Sequence, residues 1–240
     1  MPFSIPNIFD CAILCLIIGS AYLTFKTDKL TGNGAVVGTI LASLIFLGGG
    51  FTSLSMLIAF FVLGTIATEF KRAQKAVITN DSSTKRKLIQ VLSNAGLSGV
   101  LGLLILFYPD QRELYQLLIA ACFSSATADT LASELGTVFG KRFYGIMTFR
   151  REERGIDGAI SLNGTLLGIL GSGIIACIYS VGYGWSAHFY WIVIAGTIGN
   201  LADSVFGATL QRAGYISNSM VNLLNTIVAA SLATMLYLIS

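Results

Sequence analysis

Three acidic side chains lie where a greasy chain has no ordinary use for them. Asp129 and Glu134 fall in the stretch SSATADTLASELGTVFGKR (124–142), directly after the apolar run 117–123, and Asp203 follows within GNLADSVFGATLQ (199–211). Amides and hydroxyls accompany them. Asn200, Asp203, Gly207 and Gln211 fall on one helical stripe, with Ser204 beside it, and Asn218, Asn222 and Asn225 follow an i, i+4, i+7 pattern that puts three amides on one face. Asn94 stands about two turns into another apolar segment, Glu69 closes a third, and Asp157, Gly158, Ser161 and Asn163 introduce a fourth. Carboxylates of this kind, with Lys and Arg nearby, suit a phosphate ligand carrying Mg²⁺, which takes one or two carboxylates plus phosphate oxygens and water. A glycine-bearing turn that opens a helix, as at 155–165, adds backbone N–H groups suited to anions. Asp129 and Glu134 are five residues apart, about 140° around an ideal helix. Either both border a broad cavity or the helix is interrupted between them. A lone Asn or Ser in such segments would only join helices, but converging carboxylates are too costly in lipid for that role.

The elements that must position these groups are membrane helices. Of 240 residues, 54% are hydrophobic and 11% charged, with mean hydropathy +0.76, against about 25% charged in soluble domains. Eight apolar segments are expected, at 8–25, 35–50, 54–69, 88–108, 114–138, 159–181, 188–210 and 219–239, in one all-α domain spanning 1–240. The second and third are short and meet at a glycine-rich junction (Gly48–Thr52), so they are tilted spans or a re-entrant pair. Alternating the loops between two sides places 14 of the 15 Lys and Arg together and leaves Arg112 alone opposite. The positive-inside rule makes the first side cytoplasmic, with both termini outside and every intramembrane carboxylate except Asp10 in the cytoplasmic half. Tyr183, Trp185, Phe189, Tyr190 and Trp191 form the outer aromatic belt, and His188, the single histidine, belongs with them. Cys11, Cys15, Cys122 and Cys177 lie in apolar runs without CxxC spacing, which excludes a disulfide framework or zinc site. No GxSxG, HExxH or phosphate-loop motif occurs, and DGAI (157–160) lacks the arginine and downstream aspartates of CDP-alcohol phosphotransferases. No cleavable signal pattern precedes the first apolar run.

The chain resembles, from end to end, the integral membrane family named domain of unknown function 92, which contains transmembrane protein 19 and the plant and cyanobacterial phytyl-phosphate kinases. The resemblance rests on KLTGNGAVVGT (29–39), QVLSNAGLSGVLGLL (90–104), ATADTLASELG (126–136), GIDGAISLNGTLLG (155–168), GNLADSVFGATLQ (199–211) and NSMVNLLNT (218–226). It thins between Lys141 and Arg154. It implies a kinase that transfers a phosphoryl group from CTP or another NTP to a prenyl or phytyl monophosphate, with Mg²⁺, at the cytoplasmic side. On that reading Asp129, Asp203 and Glu134 are the catalytic and metal-binding set. Asn94, Asn222 and Gln211 bind nucleotide or acceptor, joined by Asp157, Gly158, Ser161, Asn163, Ser204, Asn218 and Asn225. Lys141, Arg142 and Arg154 hold phosphates. The expected partners are a membrane isoprenoid phosphate and a nucleotide, without nucleic acid and with room for a homo-oligomer; the expected location is a bacterial inner membrane. Two other readings stay open: a transporter or flippase of a small ion or lipid phosphate, whose broken helices and midplane polar groups would look similar, and a helical scaffold.

Overall fold

A computed structural model describes residues 7–79 and 85–239. It is all helical apart from one small hairpin. Six helices are long and apolar enough to cross a membrane: α1 (Ile8–Lys26), α2 (Gly32–Glu69), α4 (Leu88–Phe107), α6 (Leu162–Tyr183), α7 (His188–Phe206) with its extension to Gln211, and α8 (Asn218–Leu238). Two more are the short α3 (Arg72–Thr79), which has no counterpart among the expected segments, and the central α5 (Arg112–Phe139). Side-chain caps set several starts. Asn7 and Asp10 form a reciprocal capping box on α1, so Asp10 serves the backbone. Thr31, Ser161 and Ser217 cap α2, α6 and α8 by a single bond, each hydroxyl accepting from the N–H three residues on.

The two segments expected at 35–50 and 54–69 form one 38-residue element that breaks at Gly50, where φ is 76° and ψ −169°. Straight, it would reach about 57 Å. Instead its ends meet: Lys29, just ahead of it, places Nζ 2.7 Å from Glu69 Oε1 at its close. The positive φ at Gly50 is a conformation L side chains rarely adopt, and it folds α2 into a hairpin. Gln116 Nε2 donates to the Gly49 carbonyl at 3.4 Å, and the Tyr183 hydroxyl donates to the same oxygen. The bend therefore sits level with the start of α5 and the end of α6, and both arms run the length of the bundle rather than turning back midway.

α5 is the axis. Every residue from Leu117 to Ala128 is buried, which is why the helix is small and apolar all round rather than amphipathic. α2, α4, α6, α7 and α8 surround it. Phe60 of α2 stacks on Phe123 at 6.0 Å, Ser124 donates to the Ile192 carbonyl of α7 at 3.0 Å, and Gly168 of α6 lies against the Ala128 carbonyl. Small residues permit such approach where lipid supplies no hydrophobic drive. α1 is peripheral, packing Ile13 and Ile17 on Ala42, Phe46 and Leu54 of α2. At the opposite end from the Gly50 bend, the basic end, β1 (Tyr144–Gly145) pairs antiparallel with β2 (Ala159–Ile160), Tyr144 opposite Ile160, and orders the connection between α5 and α6. At the aromatic end, the Tyr179 hydroxyl lies 3.2 Å from His188 Nδ1, and the His188 and Trp191 rings are 4.8 Å apart. The four cysteines are free.

α2 crosses α4 backbone to backbone at a glycine pair: a Cβ on Gly48 would lie 1.9 Å from the Gly102 carbonyl oxygen, whereas one on Gly19 of α1 would touch nothing within 4 Å. Backbone cannot yield as a side-chain tip does. Gly48→Ala is expected to destabilise by about 1–3 kcal/mol through overpacking, while Gly19→Ala is neutral or gains up to about 1 kcal/mol of helix propensity. Thermal unfolding in detergent measures both, and equal melting temperatures would refute the crossing.

Candidate functional site

The basic end of the bundle opens into a cavity of about 360 Å³, within the size range of ligand pockets. α5 supplies Asp129, Thr130, Ser133, Glu134 and Thr137 to one wall. The helix is continuous over 112–139, so the 140° between Asp129 and Glu134 is spanned by a broad cavity and not by a break. α7 contributes Asn200, Asp203 and Ser204, and its last turn widens to a π turn over Gly207–Gln211, with Arg212 N donating to the Gly207 carbonyl at 3.1 Å. Such wide turns accompany functional sites; this one carries Gly207 and Gln211 onto the cavity wall. α8 adds Asn218 and Asn222, α4 adds Gln90 and Asn94, and the approach to α6 adds Asp157, Gly158, Ser161 and Thr165.

Asp129 and Asp203, from the packed helices α5 and α7, both line this space and lie close to one another. Behind Asp203, Asn225 Nδ2 donates to Oδ2 at 2.8 Å, and Ser125 Oγ in turn donates to Asn225 Oδ1 at 3.2 Å. Asn225 is fully buried and does not line the cavity; it aims Asp203. Asn222 Nδ2 donates to Asn94 Oδ1 at 3.3 Å, tying α8 to α4 at the rim. Two carboxyls brought together inside a membrane bundle need a shared proton or a cation between them. Their donor chemistry fits Mg²⁺, which needs no more than two carboxylates when phosphate and water complete its shell.

Several expected ligands are employed otherwise. Glu134 borders the cavity, but its carboxylate is engaged by Lys75 and by Thr68 Oγ1 at 3.0 Å, while Lys75 also donates to the Ala67 and Thr68 carbonyls at 2.7 and 2.8 Å. The pair locks α3 and the end of α2 onto α5. Among the described residues no three His, Cys, Asp or Glu side chains gather as a metal set, so the three-carboxylate cluster reduces to the pair Asp129 and Asp203. Glu69, the fourth expected acid, instead closes the α2 hairpin through Lys29. Asn163 donates to the Phe139 carbonyl at 2.7 Å and finishes α5. Arg154 donates to the Gly140 carbonyl at 3.1 Å and stacks on Phe143. Lys141 and Arg142 are exposed outside the cavity. None of these three cations reaches the chamber, because β1 and β2 hold the connection as a flap whose base, not its tip, forms the rim.

The cations that do line it are Lys85 and Arg86, which sequence reasoning used only to assign sidedness. Lys85 is half exposed and bonded to Asp28 at 2.7 Å. Arg86 is drawn in by backbone pairing: its N–H donates to Lys29 O at 3.0 Å and its carbonyl accepts from Thr31 N at 3.2 Å. Burial moves its guanidinium below the ordinary value and the nearby Glu134 opposes that shift; an arginine stays charged throughout.

The profile of the family described as integral membrane protein DUF92 matches residues 15–230. This chain belongs to that family. It is 33% identical over 223 residues to an uncharacterized membrane protein of Methanocaldococcus jannaschii, covering 92% of each chain. It is 29% identical over 222 residues to protein VTE6, chloroplastic, of Arabidopsis thaliana, covering 89% of this chain and 66% of that one. An uncharacterized membrane protein of Synechocystis is 31% identical over 207 residues, 84% of this chain and 79% of its own. No solved structure matches. The DUF92 match takes in every helix that walls the cavity.

The Lys75–Glu134 pair distinguishes a brace from a ligand. Glu134→Gln removes the carboxylate that buried Lys75 holds and is expected to cost about 2 kcal/mol or more, discounted from a wholly buried pair because Glu134 is partly exposed. Adding Lys75→Met to Glu134→Gln is expected to restore over half of that loss. Chemical denaturation of Glu134→Gln, Lys75→Met and the double variant reads the coupling, and strict additivity would mean the pair does not brace the fold.

Proposed function

We propose that this DUF92 protein is a membrane-embedded kinase that transfers the terminal phosphoryl group of CTP or another nucleoside triphosphate to an isoprenoid monophosphate, giving the diphosphate. The observation that carries the reading is the pair Asp129 and Asp203 in a polar chamber at the basic end of a membrane bundle, together with the family's resemblance to phytyl-phosphate kinases. On this reading the basic end is cytoplasmic, in the cell's inner membrane, where nucleotide is present.

In the transfer, the bond between the terminal phosphorus and its bridging oxygen breaks, a phosphate oxygen of the acceptor forms the new bond, and the nucleoside diphosphate leaves with the electron pair. Asp129 and Asp203 would hold Mg²⁺, which when bound neutralises phosphate charge and polarises the transferred group. Asn225, through Asp203, keeps that carboxylate turned into the chamber. The acceptor phosphate is already ionised, so no strong base is required, and catalysis is mainly positioning and charge stabilisation. Gln211, Asn218, Asn222 and Asn94 offer amides for the nucleotide or the acceptor headgroup. Ser161, whose hydroxyl accepts from Gly164 N at 3.1 Å, fixes the first turn of α6 so that its remaining N–H groups are available to anionic oxygens. The apolar tail stays in the bilayer, so only the headgroup leaves lipid.

Purified protein with Mg²⁺, labelled CTP or ATP, and a panel of prenyl alcohols and monophosphates should transfer label to a monophosphate. Asp129→Asn and Asp203→Asn should each lower kcat by at least about 100-fold, the scale of losing a charge-stabilising group, and Asn225→Ala by about tenfold with folding intact. Wild-type protein that transfers nothing and binds no nucleotide, yet accumulates a lipid phosphate in proteoliposomes, would replace the kinase with the transporter.

A further inference from the structure

Four cations at the basic end are engaged in ion pairs. Lys29 meets Glu69, Lys75 meets Glu134, Lys85 meets Asp28 and Arg212 meets Glu152. Arg86 is held differently. Its guanidinium lies over the rings of Phe60 and Phe61, with centroid distances of 5.1 and 5.5 Å, and against Gly64, where a Cβ would stand 2.4 Å from Nη2. Among the described residues no carboxylate or carbonyl is bonded to that guanidinium, and the acid near it, Glu134, is engaged by Lys75. Ring faces hold a cation through its charge and leave its in-plane N–H donors unspent. Five donors in a fixed fork match the oxygens of a phosphate group, often two at a time. Gly64 also lies against Thr130 Cγ2, one residue from Asp129, so the guanidinium and the two carboxylates border the same chamber.

We infer that Arg86, seated on Phe60 and Phe61 in the space left by Gly64, is the phosphate clamp of this cavity, binding the polyphosphate of the nucleotide or the acceptor phosphate. The inference rests on reading the cavity as a phosphate site. It deepens that reading by assigning the anion contact to the start of α4 rather than to the cations of the 141–154 connection. Phe60 and Phe61 are positioning residues, since they act through the guanidinium. The seat also accounts for a glycine inside a helix that otherwise carries bulky residues at that level: any side chain at 64 would push the fork out of place. Lysine at 86 would keep the charge and lose the paired donors.

The test uses intact protein in detergent micelles with inorganic tripolyphosphate and Mg²⁺ as the probe, following the thermal midpoint against probe concentration. Wild-type protein should be protected. Arg86→Met and Gly64→Ala should each need at least about tenfold more tripolyphosphate for half-protection, a loss of about 1.4 kcal/mol, with Arg86→Lys intermediate. Lys141→Met with Arg142→Met should match wild type. Should Arg86→Met fail to fold, Gly64→Ala and Arg86→Lys carry the test. In turnover, Arg86→Lys should raise the KM of nucleotide or acceptor more than it lowers kcat. Unchanged protection in folded Arg86 and Gly64 variants, or none in wild type, overturns the clamp. Arg86-dependent protection without transfer to any prenyl phosphate would leave the clamp standing and remove the kinase; transfer with unchanged KM in Arg86→Lys would do the reverse.

Discussion

A carboxylate held inside a bilayer is the constraint around which this molecule is arranged. Asp129 sits on a helix with no lipid-facing surface through its middle, so its side chain cannot extend to the membrane interface as a lysine on an outer helix would. It must find its compensation inside the protein. What it finds is a second carboxyl, Asp203, a chamber lined with amides and hydroxyls, and a guanidinium on the same wall. Removing the chamber would leave two neighbouring carboxyls in a dry interior, an arrangement that costs several kcal/mol for each ion. The polar lining is therefore the condition under which α5 can run through the centre of the bundle at all.

The same constraint sorts the remaining charges. Glu134 and Lys75 neutralise each other and fasten α3 to α5, Glu69 and Lys29 fasten the two ends of the α2 hairpin, and Glu152 and Arg212 hold the α5–α6 connection near the end of α7. Each such pair sets one charge against its opposite within the protein. Asp129, Asp203 and Arg86 are held differently: two acids lining one chamber, and a cation supported by aromatic faces. A site for a metal-bearing phosphate requires this imbalance, because charges already satisfied by the protein have nothing left to offer a ligand.

The helices could be read from the sequence because apolar length and the placement of Lys and Arg are local signals. The stripes on α7 and α8 could be read because Asn200, Asp203 and Gln211, or Asn218 and Asn222, recur at helical spacing, and these residues do line one chamber. What escaped was the part decided by contacts between distant segments. Nothing in the spacing of Glu134 reveals that Lys75, 59 residues away, would claim it, nor that Arg154 would spend its donors on the Gly140 carbonyl. The basic run 141–154 looked like a phosphate cradle from composition alone, but strand pairing at Tyr144 and Gly145 turns it away. Arg86 was hidden among topology-determining cations, and only its seat between Phe60, Phe61 and Gly64 separates it from them. Gly50 lay within an evident glycine run, but a helix break and a re-entrant turn share that signature until the contact of Lys29 with Glu69 shows where the arms end.

The chamber has no local precursor in the chain. Its walls come from Thr68, Arg86, Asn94, the 129–137 face, the 157–165 turn, the 200–211 stripe and the start of α8, so it exists only once α2 and α4 to α8 have assembled. No shorter piece of the chain could hold Asp129 and Asp203 close to one another and still supply Arg86. A site distributed in this way depends on the whole bundle, and the DUF92 match spans residues 15–230. It begins inside α1, the one membrane helix that packs on α2 and gives no residue to the chamber. The match thus takes in all of the cavity's walls, from Thr68 to Asn222, together with part of the outer helix that packs on α2.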